Sequence, residues 1–153
     1  MKVLSFNCRG FVSPTKKLAL RRLLTWTQFD IIFLQETLFP TDTLTSTFLS
    51  WMSNWTFQAL DVSGRARGIA ICINNKNMEL RNFWGGRGFI GMDIFAHSIE
   101  HEVHILNVYG SCVERAHFWR TLLDLDFLHA DNIILGGDLN FSLGHCESWG
   151  HST

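Results

Sequence analysis

Apolar residues recur with helical spacing in three segments of the chain. Ser13 followed by Pro14 is typical of a helix start, with serine as the N-cap and proline at the first helical position. A second helix is predicted after Pro40, and a third over residues 113–124. The positions expected on the buried faces are Leu20, Leu23 and Leu24 in the first helix, Leu44, Phe48, Trp51 and Met52 in the second, and Ala116, Trp119 and Leu123 in the third.

Apolar runs between these helices predict strands. Residues 2–7, 31–35 and 132–135 lack the alternation of a half-exposed strand, so we expect them in central, buried positions of a sheet. Residues 55–109 instead show strands separated by turn-rich breaks, which is typical of antiparallel sheet. The breaks are Ser63–Gly64, Asn74–Asn75, Gly85–Gly86 and His97–Ser98. This order of elements favours the α/β or α+β class, with one mixed sheet or two stacked sheets.

Polar side chains follow four of these strands, at the point where each strand ends. They are Asn7, Glu36, Tyr109, and the pair Asp138 and Asn140. In open α/β sheets catalytic groups gather beyond the carboxyl ends of the strands, so we expect these side chains to meet at one rim. A carboxylate, amides, a phenol and an Asp-x-Asn pair suit a site for a hard metal ion and a phosphate.

Each of these residues also has a plainer interpretation. A cation such as Mg²⁺ is held by one or two carboxylates, which Glu36 can supply and to which Asn7 can add a neutral oxygen; alternatively, Glu36 simply begins a loop. Asp138 can act as a base or orient a water, and Asn140 can donate to a phosphate oxygen; alternatively, the two residues form an Asx-turn. Both interpretations stay open for each residue alone, and the four motifs together favour a site.

Composition describes one ordered domain, or part of one. The chain has 153 residues, of which 46% are hydrophobic and 18% charged, and its net charge of −1 excludes the strongly basic surface of proteins that wrap nucleic acid. An enzyme that contacts only a few phosphates can use a local basic patch. The segment with Lys16, Lys17, Arg21 and Arg22 is a candidate, although a solvated helix face explains it more simply.

Cysteine usage and the N-terminus indicate an intracellular protein. Cys8, Cys72, Cys112 and Cys146 form no C-x-x-C pair and no disulfide-framework spacing, so we expect a reducing compartment and no disulfide-linked partner. No signal peptide follows Met1, and no apolar run approaches the roughly 20 residues of a membrane span. These features predict a nuclear or cytoplasmic protein that is neither secreted nor bound to membranes.

Four segments together resemble the endonuclease/exonuclease/phosphatase superfamily in their order and spacing. They are Ser5–Gly10, Leu34–Thr37, Asn107–Gly110 and Gly136–Asn140. Within the superfamily, the N-C-R-G opening at Asn7 to Gly10 is similar to the endonuclease domains of plant non-LTR (LINE-type) retrotransposons. Glu147–Gly150, Arg115, Phe118 and Trp119 also fit that pattern.

The resemblance implies a deoxyribonuclease I-like sandwich of two mixed β-sheets flanked by helices. It also implies hydrolysis of a phosphodiester in DNA with Mg²⁺ or Mn²⁺. By the matching positions, Glu36 would hold the metal with help from Asn7, Tyr109 and Asn140 would hold the phosphate, and Asp138 would align the attacking water. The protein would contact few DNA phosphates, and a reverse transcriptase region is possible in the full-length element.

One departure from the family pattern matters. The superfamily uses an Asp-His pair near the C-terminus of the domain, and His151 has no preceding aspartate and lies too close to Asn140 to replace it. We therefore expect residues 1–153 to be a domain truncated at its C-terminus, with strands missing and Ile133–Leu135 left at an open edge. Such a fragment would be a weak or inactive endonuclease; the alternatives are a non-catalytic retrotransposon remnant and a phosphatase of the same superfamily.

Overall fold

The computed structural model describes residues 1–11, 13–38, 40–61, 68–111 and 113–141. The strands in these ranges are β1 (Val3–Asn7), β2 (Ile31–Gln35), β3 (Trp55–Leu60), β4 (Ile69–Asn74), β5 (Met78–Gly86), β6 (Phe89–Ala96), β7 (His101–Tyr109) and β8 (Ile133–Asp138). The helices are α1 (Pro14–Trp26), α2 (Thr41–Trp51), α3 (Arg115–Leu123) and a 3₁₀ turn, Asp126–His129. Ser63–Gly64, Cys112, Cys146, Glu147–Gly150 and His151 lie outside the described residues.

The strands form two four-stranded sheets packed face to face. The first sheet has the order β1-β2-β4-β3 and the second the order β5-β6-β7-β8. In the first sheet β1 and β2 are parallel, in the second β7 and β8 are parallel, and the remaining pairs are antiparallel. Both sheets are therefore mixed, which confirms the predicted two-sheet sandwich flanked by helices.

The core explains why some strands show no polar alternation. The inner faces of the two sheets pack together, and the outer face of the first sheet packs against α1 and α2. Strands β2 and β4 are consequently buried on both faces, as continuous apolar runs predict. The inner layer includes Ile31, Phe33, Ile71, Ile73, Ile90, Met92, Ile94 and Ile105. The outer layer includes Leu20, Ile32, Leu34, Leu44, Phe48, Ala70 and Cys72.

The prediction of a central position for residues 2–7 is wrong. β1 is the first strand in its sheet, and within the described residues no strand pairs with its other side. Val3 is 39% exposed as a result. The strand is apolar because Leu4 and Phe6 on its outer face pack into the helical layer. Apolar composition therefore reports the covered face of β1 and carries no information about its neighbours in the sheet.

The open edge expected at Ile133–Leu135 is confirmed for the described part of the chain. β8 pairs with β7 and with no other described strand, and Leu135 is 43% exposed. The strand is longer than predicted and reaches Asp138. Among the described strands it therefore occupies an edge position, in place of the central, buried position that its apolar run predicts, and it carries a predicted site residue at its own end.

The buried face of α3 also differs from the prediction. Phe118 and Leu122 are its buried residues, whereas Leu123 is 63% exposed. Phe118 and Leu122 are four residues apart, and they pack with Leu106 and Val108 on the outer face of the second sheet. In α1 the expected Leu20 is buried, and in α2 the expected Leu44 and Phe48 are buried.

The break predicted at Gly85–Gly86 lies two residues later. Both glycines continue β5, and Gly86 pairs with Phe89 across a two-residue loop of Arg87 and Gly88. Gly88 has φ +81°, a conformation that tight hairpin loops require and glycine adopts without strain.

Cys8 and Cys72 are buried free thiols. No described helix is long and apolar enough to cross a membrane.

Candidate active site

Strand pairing explains why the predicted site residues meet at one rim. β1 and β2 run parallel with Asn7 opposite Gln35, and β7 and β8 run parallel with Tyr109 opposite Asp138. These two parallel pairs face each other across the sandwich, where β1 and β2 contact β8 and β2 contacts β7. The carboxyl ends of four strands therefore meet at one edge.

Asn7 connects the two acidic residues of this rim. Its side-chain Nδ2 donates to Glu36 Oε1 at 3.3 Å and to Asp138 Oδ2 at 2.6 Å. Glu36 is only 7% exposed, whereas Asp138 is half-buried. Two carboxylates from different sheets therefore approach a single donor group.

Tyr109 joins the same cluster through its phenol. The hydroxyl donates to Glu36 Oε1 at 3.0 Å, the oxygen that also accepts from Asn7. Both sheets thus place a donor on one carboxylate oxygen, because Asn7 ends β1 and Tyr109 ends β7. The four predicted motifs converge as expected.

Asn140 is held by two hydrogen bonds at the end of β8. Its backbone N–H donates to Asp138 Oδ1 at 3.0 Å, which forms the Asx-turn considered above. Its side-chain Nδ2 donates to the carbonyl of Gly110 at 2.7 Å. An amide nitrogen carries two hydrogens, so this bond orients the group without using both. The turn and the site coexist, since Asp138 uses Oδ1 for the turn and Oδ2 for Asn7.

Gly137 lets β8 run close to β7 immediately before Asp138. Its φ is +131°, and a Cβ atom there would lie 1.9 Å from the carbonyl oxygen of Val108. A residue with a side chain would therefore displace the backbone that carries Asp138.

The loops of the rim contain several non-glycine residues in the left-handed backbone region. Gly10 N–H donates to the carbonyl of Glu36 at 2.8 Å and Phe11 N–H to that of Thr37 at 3.0 Å, so the two loops hold each other in place. Such conformations cost of order 1–3 kcal/mol each and cluster at functional sites. The residues are Arg9 (φ +44°), Glu36 (+52°), Leu38 (+55°) and Asn140 (+51°).

Asn7 is oriented differently from the expectation that its oxygen faces a metal. Oδ1 accepts the backbone N–H of Arg9 at 3.0 Å, and Nδ2 faces the two carboxylates. In this orientation Asn7 holds Glu36 and Asp138 together through its donor. Direct coordination by Asn7 would require its amide to rotate so that the oxygen replaced the nitrogen.

The chemistry of the rim fits a hard divalent cation. Mg²⁺ is usually bound through one or two carboxylates together with waters and substrate oxygens. Glu36 and Asp138 supply two carboxylates within reach of one amide group. In the ranges that the structure describes, no three His, Cys, Asp or Glu side chains form a closed metal cluster. Two carboxylates fill only part of the coordination shell of such a cation, which leaves positions for water or substrate.

A shallow cleft of about 430 Å³ opens over these groups. Arg9 contributes a cationic side chain to it and Leu38 an apolar one, and the sequence had suggested a role for neither. The lining residues are Asn7, Arg9, Glu36, Leu38, Asp138 and Asn140. A larger cleft of about 880 Å³ includes Lys2 and Asp30, at the start of β1 and β2, and contains none of the predicted site residues.

Two buried amides beneath the rim are further residues without a role assigned from sequence. Gln35 Nε2 donates to Asn107 Oδ1 at 2.7 Å and to Ser5 Oγ at 3.3 Å. Asn107 Nδ2 donates to the carbonyls of Leu34 and Ala70 at 3.0 and 2.8 Å. A polar amide inside an apolar strand is the signal that could have identified both residues.

Lys16 is not simply part of a solvated helix face. Its ammonium group donates to the backbone carbonyls of Cys8, Arg9 and Gly10 at 3.3, 2.9 and 3.3 Å. These bonds hold the loop that brings Arg9 to the cleft. Sequence gives no signal for them, because a lysine early in a helix is ordinarily exposed.

Cys8 does not provide a thiolate to this rim at neutral pH. Burial raises the pKa of its thiol to about 12; Lys16 lowers it and Glu36 raises it to smaller extents. A neutral, buried thiol is a weak nucleophile and a weak metal ligand.

An Asp–His pair is present elsewhere in the second sheet. His104 Nδ1 lies 2.7 Å from Asp93 Oδ1. The neighbours of Asp93 along β6 point into the core between the sheets, so the pair lies on the outer face. It is about 16 Å along the strand from Tyr109 and contributes nothing to the rim.

Comparison with known families agrees with this geometry. Residues 4–151 match the sequence model described as the Endonuclease/Exonuclease/phosphatase family. The chain belongs to this family. No curated protein sequence matches the chain significantly.

Solved structures of endonuclease/exonuclease/phosphatase proteins share the fold. The catalytic domain of human Nocturnin with bound sulfate superimposes with a TM-score of 0.71 at 14% identity, covering 92% of this chain and 64% of that one. TDP2 of D. rerio complexed with a single-strand DNA product superimposes with a TM-score of 0.69 at 13% identity, covering 92% of this chain and 60% of that one. A mannosyl-6-phosphatase of Bacteroides thetaiotaomicron superimposes with a TM-score of 0.69 at 13% identity, covering 90% of this chain and 64% of that one.

These likenesses confirm the deoxyribonuclease I-like fold that the motifs predicted. At such low identity they show the fold alone. The chain spans less than two thirds of the length of each of these three structures.

Proposed function

We propose that this member of the endonuclease/exonuclease/phosphatase family hydrolyses phosphate esters at the rim formed by Glu36, Asp138, Asn7, Tyr109 and Asn140. The observation that carries the proposal is the position of Asn7 Nδ2 within hydrogen-bond distance of both carboxylates. Two acids held together at the carboxyl ends of four strands suit a divalent metal ion, which can polarise a phosphoryl oxygen and activate a water for hydrolysis.

The cofactor in this proposal is Mg²⁺ or Mn²⁺, which when bound would polarise a phosphoryl oxygen and neutralise developing charge. Glu36 would hold the cation, with Asn7 beside it. Asp138 would orient the attacking water through Oδ2. Asn140 would donate its second amide hydrogen to a phosphate oxygen, and Tyr109 would donate to another once its hydroxyl turned away from Glu36; such donors stabilise charge in the transition state.

The proposed substrate is DNA, with cleavage of the endonuclease type found in non-LTR retrotransposons. The N-C-R-G opening at Asn7 to Gly10 supports this assignment, as does the fold shared with a TDP2 solved with a single-strand DNA product. Arg9 at the cleft supplies a cation for a DNA phosphate. Contacts to DNA would be few, in keeping with the net charge of −1, and a reverse transcriptase region would belong to the full-length element.

A phosphatase acting on a small phosphomonoester is the second candidate. The mannosyl-6-phosphatase of Bacteroides thetaiotaomicron shares the fold with a TM-score of 0.69. A cleft of about 430 Å³ is within the range of small-molecule sites.

We further propose that residues 1–153 are the N-terminal portion of the catalytic domain and that their activity alone is weak. Residues 141–153 contain no aspartate, so they supply no Asp-His pair after Asn140. Members of a catalytic unit act together, and loss of one commonly costs several orders of magnitude in rate. If no activity remains, the alternative is a non-catalytic retrotransposon remnant.

Plasmid nicking tests this function. The purified chain is assayed in Mg²⁺ and in Mn²⁺ beside Glu36→Ala and Asp138→Ala, with Asp93→Asn as an acidic control outside the rim. We expect slow, metal-dependent nicking that both rim variants lose and the control retains. A phosphomonoester assayed in parallel decides between the two candidates. Nicking that persists in both rim variants, or no hydrolysis of either substrate, would contradict the proposed activity.

A further inference from the structure

Gln35 and Asn107 form a hydrogen-bonded bridge between the two sheets. Gln35 is 1% exposed and ends β2, and Asn107 is fully buried in β7. The bond from Gln35 Nε2 to Asn107 Oδ1 is 2.7 Å long and crosses the sandwich. Asn107 also donates to the carbonyls of Leu34 in β2 and Ala70 in β4. One side chain of the second sheet is thereby attached to two strands of the first.

Stability alone gives little reason for this bridge. Burying an amide is unfavourable unless its hydrogen bonds are satisfied, and the described buried side chains leave no such atom without a partner. Replacing both partners of a buried polar pair with apolar groups is often nearly neutral. What the bridge adds is a fixed relative position of the two sheets, since a hydrogen bond is directional and an apolar contact is not.

The bridge lies directly beneath the proposed site. Gln35 is followed by Glu36, and Asn107 shares one face of β7 with Tyr109, two residues further along. Glu36 and Tyr109 meet through a hydrogen bond of 3.0 Å that also crosses between the sheets. A slide of one sheet over the other would break this bond before it disturbed either sheet internally.

We propose that Gln35 and Asn107 are positioning residues, which set the distance between Glu36 and Tyr109 by fixing one sheet against the other. Their effect on hydrolysis rests on the function proposed above. Their effect on the Tyr109–Glu36 geometry does not, so it can be measured in a protein that has no activity.

The chain contains a single tyrosine, which makes this geometry directly observable. Protein labelled with ¹³C in the tyrosine ring gives one set of NMR signals, all from Tyr109. Glu36→Ala supplies the reference position for a phenol without the Glu36 bond. Asn107→Leu and Gln35→Met each break the bridge. Ile94→Ala is the control, because it loosens the same core between the sheets without touching the bridge. Ile94 lies about 13 Å along β6 from Ile90, the residue that pairs with Asn107 across the strands.

We expect the Tyr109 signals of Asn107→Leu and Gln35→Met to move toward those of Glu36→Ala, while Ile94→Ala keeps the wild-type position at comparable loss of stability. The double variant should recover part of the lost stability and keep the displaced signals. Wild-type Tyr109 signals in folded Gln35→Met would overturn the inference. So would an equal displacement in Ile94→Ala, because the bridge would then be ordinary core packing.

Mn²⁺ binding separates this inference from the proposed function. If the rim binds Mn²⁺, bridge variants should lose about 10-fold to 100-fold in affinity, the usual effect of removing a group that orients a metal ligand. Displaced Tyr109 signals without Mn²⁺ binding in the wild-type protein would support positioning and contradict the metal-dependent function. If the Tyr109 signals of the bridge variants did not move and the wild-type protein bound Mn²⁺ tightly, positioning would be contradicted and the metal-dependent function supported.

Discussion

At the scale of single residues, Asp138 shows that a turn and a site can use the same side chain. The sequence left an Asx-turn and a catalytic carboxylate as alternatives. In the structure Oδ1 accepts the backbone N–H of Asn140, and Oδ2 accepts the amide of Asn7. A carboxylate has two oxygens, so local backbone bonding leaves the second one available to the cleft. Sequence patterns that suggest a turn are therefore compatible with catalysis.

Gly137 is expected to tolerate no side chain. Gly137→Ala should lower the free energy of unfolding by about 3 kcal/mol or more, because φ +131° and contact with the Val108 carbonyl act together. Gly86→Ala is the matched control, since its φ lies outside the left-handed region and its Cβ would meet the Phe89 ring, a side chain, where that of Gly137→Ala meets backbone. Urea denaturation of the two variants measures the difference. Equal losses would show that β8 can shift away from β7 at low cost.

Cys8 predicts a loss of stability at alkaline pH. Its pKa is raised from 9.0 to about 12 by burial, so the folded state binds the thiol proton more tightly than the unfolded state. The resulting stabilisation is complete below about pH 9 and is lost as the pH rises toward 12. Between about pH 8 and pH 10.5, the free energy of unfolding of the wild-type protein should fall by about 2 kcal/mol more than that of Cys8→Ala. If the free energy of unfolding of the two proteins fell equally with pH over this range, the raised pKa of Cys8 would be refuted.

At the scale of elements, sequence patterns predicted which faces are covered better than which neighbours cover them. A continuous apolar run identified β2 as a buried strand, and it is buried on both faces. The same rule placed β1 and β8 in central positions, although each is an edge strand among the strands that the structure describes. Hydrophobicity reports burial of side chains, whereas strand order depends on backbone pairing, which leaves no mark on composition. The prediction of the buried face of α3 was wrong for a related reason. Phe118 and Leu122 pack against the second sheet, whose position relative to the helix is set only by the tertiary fold.

The open edge of β8 should promote self-association. An unpaired edge strand with exposed apolar side chains can pair with another chain. Leu135→Lys, which places a charge on this edge, should reduce concentration-dependent association measured by light scattering. Leu49→Lys is the matched control, because Leu49 is 42% exposed on α2, compared with 43% for Leu135. If self-association persisted in Leu135→Lys and disappeared in Leu49→Lys, the association surface would lie on α2 and not on the edge of β8.

At the scale of the whole molecule, the sequence predicted the meeting of four motifs but not the groups that hold them. Glu36, Asn7, Tyr109 and Asp138 were expected at one rim because strands in such sheets present their carboxyl ends together. The orientation of the Asn7 amide and the Gln35–Asn107 bridge depend on contacts between residues distant in the chain. Such contacts exist only once the two sheets are packed, so no local pattern predicts them.

The proposed function requires the rim to bind one divalent cation through Glu36, with Asp138 close by, and Mn²⁺ titration measures this binding without any need for turnover. Electron paramagnetic resonance should show one saturable site in the wild-type chain. Its affinity should fall at least about tenfold in Glu36→Ala and in Asp138→Ala, and remain unchanged in Asp93→Asn, whose acid lies on the outer face of the second sheet. Absence of a saturable site, or equal affinity in Glu36→Ala, would contradict the account.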